Sequence, residues 1–212
     1  MDDMFDQLLV KFGLEPHHIR IVAPVIRREL GWLRLPGFLA KLALAPRPVI
    51  PVPNVPDEQE ARALQLLLEQ FAPMKPLFDA LSDIKGRKAA EAVIGELLVE
   101  LNIDWARRNY PEVKGLADFP AFVDVLKLDK VHDPKIAAQV ETPAPGQAIL
   151  SVPICYYQRA LALLGLPEAG LALCGAYEEY LRRHQPRVTA TVARCATRGD
   201  CSCRIEYALT NR

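Results

Sequence analysis

Five cysteines stand at positions 155, 174, 195, 201 and 203, and none precedes residue 155 in this 212-residue chain. A secreted scaffold stapled by disulfides has an even count spread through a short chain. An odd number crowded towards one end fits reduced thiols that share a site. Three chemistries are open to them. The first is a thiolate nucleophile. Cys155 is expected to open a helix directly after a strand, where unsatisfied N–H groups and the positive end of the helix dipole favour the thiolate. His184, Arg182 and Arg183 are candidate partners for it. The second is a metal site with soft ligands, zinc or iron. Cys195 and Cys203 flank Gly199 symmetrically, so a hairpin would set them opposite each other, and Cys201 shares a strand face with Cys203. No CxxC pair of the zinc-finger kind is present. In the third, the cysteines simply pack as small apolar side chains.

These residues need elements to hold them. Residues 1–45 read as helical: Phe5, Leu8, Leu9 and Phe12 fall at helical spacing, then Ile19, Val22, Ile26 and Leu30. The very apolar run from Leu30 to Leu44 is expected to pack on the domain or on a second copy of the chain, which would make a homodimer. A membrane-surface segment is the other reading. Five prolines between 46 and 56 predict an extended connector. Helix resumes after Asp57, an N-cap with Glu60 three residues on. Another helix is expected from Gly86 to Asn109. Phe122, Val123, Val125, Leu126 and Leu128 suggest a short strand, and Gln147–Pro153 a second. Residues 155–164 and 167–183 read as two helices. Val188 to Arg194 and Cys203 to Leu209 alternate around Thr197-Arg198-Gly199-Asp200 and predict a hairpin. The expected class is α+β: a helical N-terminal half, then an antiparallel sheet of about four strands with helices on one face. Residues 1–56 form a helical extension with its Pro-rich connector, and residues 57–212 the α+β domain.

Composition removes several functions. Twenty-six basic residues balance 26 acidic ones, and the pI is near 6.9. That balance argues against nucleic acid, whose phosphates call for a basic surface. No apolar run reaches the roughly 18–20 residues that span a bilayer. The acidic start, Met-Asp-Asp-Met-Phe-Asp, is unlike a secretory signal, so the cytoplasm is the expected location. A small-molecule substrate is the expected partner.

The C-terminal third resembles a known family. Cys155-Tyr-Tyr-Gln-Arg-Ala-Leu-Ala-Leu-Leu-Gly165-Leu-Pro-Glu168, then Leu173-Cys174, then Gly199-Asp-Cys-Ser-Cys203-Arg-Ile-Glu-Tyr207 is similar to the L-2-amino-thiazoline-4-carboxylic acid hydrolases. The resemblance implies a small bacterial hydrolase acting on the C=N bond of a cyclic amidine, a thiazoline or a related amino-acid-like ring. Cys155, Cys174 and Cys203 would line its catalytic site, with Tyr156, Tyr177 and His184 against the substrate. Where that family carries an aspartate, this chain has Tyr177. Glu178 is the replacement acid/base, although one residue along a helix is a turn of about 100°. Cys195-x-x-x-Gly199-x-x-x-Cys203 also resembles the closing motif of 4-vinyl reductase-type domains. That resemblance implies a non-catalytic module binding a small molecule or a metal, with Cys195 and Cys203 as ligands.

Overall fold

The computed structural model describes residues 2–195 and 202–210. Within them eight helices and four strands follow one another: α1 (Asp2–Lys11), α2 (Pro16–Leu44), α3 (Glu58–Phe71), α4 (Met74–Lys85), α5 (Arg87–Asn109), α6 (Phe119–Lys130), β1 (Ile136–Glu141), β2 (Gln147–Cys155), α7 (Tyr157–Leu163), α8 (Ala169–His184), β3 (Val188–Arg194) and β4 (Cys203–Leu209). This is the expected α+β arrangement.

Local chemistry sets most boundaries. Pro16 stands in the first turn of α2, where no backbone donor is needed. Gly31 interrupts α2 with φ 63°, a value that costs glycine nothing. Leu35, Phe38, Leu39 and Leu42 are buried in the chain's own core beyond that break, whereas Trp32, Leu33 and Leu44 stay exposed. The proline stretch from 46 to 56 carries no helix or strand. Asp57 caps α3 as expected, its Oδ1 accepting from the Glu60 N–H at 2.6 Å. No helix is long and apolar enough to cross a membrane among the described residues.

Two expectations need correction. Residues 119–130 form helix α6, not a strand. Its buried residues are Phe119, Phe122, Val123 and Leu126, an i, i+3, i+4, i+7 set. Leu128, which made the run look continuous, is exposed on the far side. The first strand is instead Ile136–Glu141, an edge strand with weak alternation. Helix α4 also fills the interval before the helix expected from Gly86, with Pro76 within its first turn, where proline is tolerated.

Two buried cores share α5. The first combines α1, α2, α3, α4 and α7 with the Ala90–Leu98 half of α5. The second combines α6, the inner face of the sheet and the end of α8 with Ile103 and Ala106 of α5. The sheet order is β1-β2-β4-β3, antiparallel throughout. At the β1–β2 turn Gly146 has φ 76°, and a Cβ there would stand 3.2 Å from that of Leu209. That turn admits glycine alone without strain.

Candidate functional site

A cavity of about 110 Å³ lies between the inner face of the sheet and helices α5, α6, α7 and α8. Cys155, Cys174, Cys195 and Cys203 all line it, and all four are thiols. Gathering them takes two irregularities in the sheet. Along β2, Ala148, Leu150 and Val152 are buried in alternation. The register with β1 then slips, Gln139 pairing Ser151 and Ala137 pairing Ile154, so Val152 and Pro153 together oppose Ala138. The extra residue is a β-bulge that reverses the alternation and turns Cys155 inward beside Ile136. Pro153, which cannot donate to a ladder, sits at that bulge. The second slip lies in β3, between Val192, opposite Ile205, and Arg194, opposite Arg204. Continuing the shifted register sets Cys195 opposite Cys203, and Cys195 is buried. Cys195 and Cys203 both line the cavity, and a bulge directly precedes Cys195. The turn from Thr197 to Asp200 and Cys201 lie outside the described residues.

Helix α8 brings Gly170, Leu173, Cys174 and Tyr177 to the cavity from one face, at i, i+3, i+4 and i+7. Helix α6 contributes Lys130, and α5 contributes Asn102. Behind the wall lies Asp129. Its Oδ2 accepts from Tyr177 Oη at 2.7 Å, from Tyr110 Oη at 3.0 Å, and lies 3.0 Å from Lys130 Nζ. The Lys130 ammonium also sits 4.3 Å from the centre of the Tyr177 ring. Tyr157, another lining residue, donates to Asp133 Oδ2 at 3.3 Å. Tyr207 differs from these phenols. It is buried, it lines the cavity, and among the described residues its hydroxyl has no hydrogen-bond partner.

Burial governs the protonation of this wall. It raises Tyr177 and Tyr157 well above the ordinary phenol range, with Asp129 and Asp133 respectively adding to the effect. It raises Tyr110 and Tyr207 as well, and Asp129 reinforces both shifts. These phenols are neutral donors at pH 7. Cys155 corrects an expectation. It closes β2 instead of opening a helix, and burial pushes its thiol up. The N–H groups of Tyr157 and Gln158, at the start of α7, favour its thiolate but do not outweigh the loss of water.

Of the expected site residues, Cys155, Cys174, Cys195, Cys203 and Tyr177 come together here. Glu178 is exposed on α8, the 100° turn away from Tyr177 that helix geometry dictates. Tyr156 precedes α7 and packs against the helical core, and His184 ends α8 with its ring 5.8 Å from that of Tyr180. None of these three lines the cavity. Arg182 and Arg183 are engaged by Glu179, and Arg183 also by Glu100. Sequence reasoning did not single out Lys130, Asp129, Tyr157 or Tyr207 for the site. Tyr207 carried a signal, because it alternates with Cys203 and Ile205 along β4.

A zinc or iron site at Cys195 and Cys203 requires further ligands. Among the described residues, the group that brings three potential ligand atoms within 4.8 Å of one another is Glu15, His17 and His18, at the start of α2. The described thiols are not part of such a group.

Comparison of the chain with protein-family models, with curated proteins and with solved structures finds no match.

Proposed function

We propose that this chain is a non-catalytic module that binds a small, mostly apolar molecule in the cavity between its sheet and helices, as the resemblance to 4-vinyl reductase-type domains implies. The observation that carries this reading is the lining itself. Ile136, Leu150, Val152, Leu173, Val192 and Ile205 line the cavity together with four thiols and three neutral phenols, and Asn102, Lys130 and Arg194 add polar groups. Binding sites for small molecules are typically apolar clefts with a few placed polar groups. The volume of about 110 Å³ suits a single ring; a cavity of roughly 150 Å³ in another protein holds benzene.

The test is thermal unfolding with a panel of single-ring compounds. Ligands that bind only the folded state raise Tm as their concentration climbs. Cys174→Phe, which fills the cavity from α8, should abolish that rise. A panel that leaves Tm unmoved would overturn the reading.

A hydrolase of the thiazoline type is the second reading. It rests on the convergence of Cys155, Cys174 and Cys203 and on the two backbone N–H groups directed at Cys155. Cys155 would attack the ring carbon, and the N–H groups would stabilise the resulting anion. A proton donor to the departing nitrogen would have to come from Lys130 or a lining tyrosine, since Glu178 lies outside. Turnover of a cyclic thiazoline that vanishes in Cys155→Ser would favour this reading over the first.

A further inference from the structure

Tyr207 raises a question that the apolar cavity does not answer. Its neighbours Tyr110 and Tyr177 both spend their hydroxyls on Asp129, and Tyr157 spends its own on Asp133. Tyr207 is as deeply buried as any of them, about 2% exposed, yet its hydroxyl has no partner among the described residues. A buried hydroxyl without a partner is destabilising, and such groups are uncommon in native proteins. Phenylalanine would fill the same space without that cost. The position lies on the inner face of β4, directly opposite Ala148 of β2 and Ala190 of β3.

The charges around the cavity narrow what could satisfy the hydroxyl. Lys130 is balanced by Asp129, and Lys135 lies 3.7 Å from Asp133. Each of these two cations is thus neutralised by its own carboxylate, and the remaining cation of the lining, Arg194, is exposed. A charged ligand held beside Tyr207 would lose its hydration without gaining a free opposite charge from Lys130 or Lys135. A neutral ligand loses far less. The Tyr207 phenol, kept protonated by its surroundings, offers one donor.

We infer that the cavity selects a neutral single-ring molecule bearing one hydrogen-bond acceptor, such as a ring ketone, and that Tyr207 donates the selecting hydrogen bond. This inference rests on the proposed binding role. Tyr207 acts as a specificity residue, and its loss should discriminate between ligands instead of weakening all of them.

The experiment uses the full chain, its Tyr207→Phe variant and two probes, cyclopentanone and methylenecyclopentane. The probes share a shape and differ in a carbonyl oxygen replaced by a methylene carbon. Calorimetric titration of each protein with each probe forms a double-mutant cycle. Tyr207→Phe is expected to weaken cyclopentanone about tenfold and to leave methylenecyclopentane unchanged. Because the variant sheds an unsatisfied hydroxyl, its ligand-free Tm should match or exceed that of the parent chain, so misfolding would not mimic the effect. Equal affinities of the two proteins for cyclopentanone would overturn the inference and leave the binding role intact. Failure of both probes to bind either protein would instead count against the binding role itself.

Discussion

The hydroxyl of Tyr177 donates to Oδ2 of Asp129 across 2.7 Å, tying the middle of α8 to the end of α6. The same oxygen receives Tyr110 and the Lys130 ammonium. Asp129→Ala would leave two buried phenols and a largely buried cation without their acceptor. A destabilisation of about 2–4 kcal/mol is expected, read as a lower urea midpoint. An unchanged midpoint would show that water replaces the carboxylate.

Cys155 should behave as an unreactive thiol. Burial holds its pKa above the ordinary cysteine range, so little thiolate exists at pH 7. Iodoacetamide is expected to modify it much more slowly than an exposed peptide cysteine, with the rate rising beyond pH 9. Labelling followed by mass spectrometry measures this. Fast modification at pH 7 would mean that the N–H groups of Tyr157 and Gln158 dominate, and would revive the nucleophile.

The alkaline limb of stability carries a signature of the buried phenols. Tyr110, Tyr157, Tyr177 and Tyr207 all have raised pKa values in the folded chain. The folded state therefore keeps protons that the unfolded state releases. Their stabilisation is fully present below the unfolded phenol value of about 10 and is lost as pH climbs above it. Tyr207→Phe should make that loss shallower in denaturation series from pH 8 to 11. A curve as steep as the parent's would contradict the assignment.

At the other end of the scale, hydrogen bonds from Arg182 and Arg183 hold Glu179 down to about 2. Its carboxylate should stay ionised until pH approaches that value. Carbon-detected NMR titration should find the low midpoint, and Arg183→Ala should raise it. The site is exposed, so little effect on global stability is expected.

The N-cap of α3 offers a check on the helical half. Asp57→Ala removes the acceptor for the Glu60 N–H, at a cost of about 1 kcal/mol. Thermal unfolding would register it, and Asp57→Ser should recover most of the loss.

The sequence is most legible where one local signal decides the outcome. Asp57 announced α3, alternation announced β3 and β4, and helical spacing announced α5. Residues 119–130 misled because Val125 and Leu128 add apolar side chains outside the helical spacing, Leu128 of them facing solvent. Pro120, in the first turn of that helix, was the available clue. Strand β1 was hidden by its weak alternation, since an edge strand has one neighbour to satisfy. Cys155, Cys174, Cys195 and Cys203, near one another along the chain, all line one cavity. What single-sequence pattern could not supply was the charge behind the wall, because Asp129 and Lys130 meet Tyr110 and Tyr177 only through the packing of α5, α6 and α8.

The two slips in the sheet carry a last consequence, for how such a cavity can be rewritten. Strand parity is a reading frame, and each slip is a frameshift of one residue near the open end of the sheet. Upstream, Ala148, Leu150 and Val152, or Val188, Ala190 and Val192, keep the frame that builds the core. Downstream, the shifted frame decides whether a thiol or its neighbour faces the ligand. Deleting Pro153 or Ala193 would restore the original frame and turn Cys155 or Cys195 away from the cavity without touching those core positions. The sheet thus separates the residues that hold it together from the residues that give its cavity a chemistry, and a single codon at either slip can exchange one without the other.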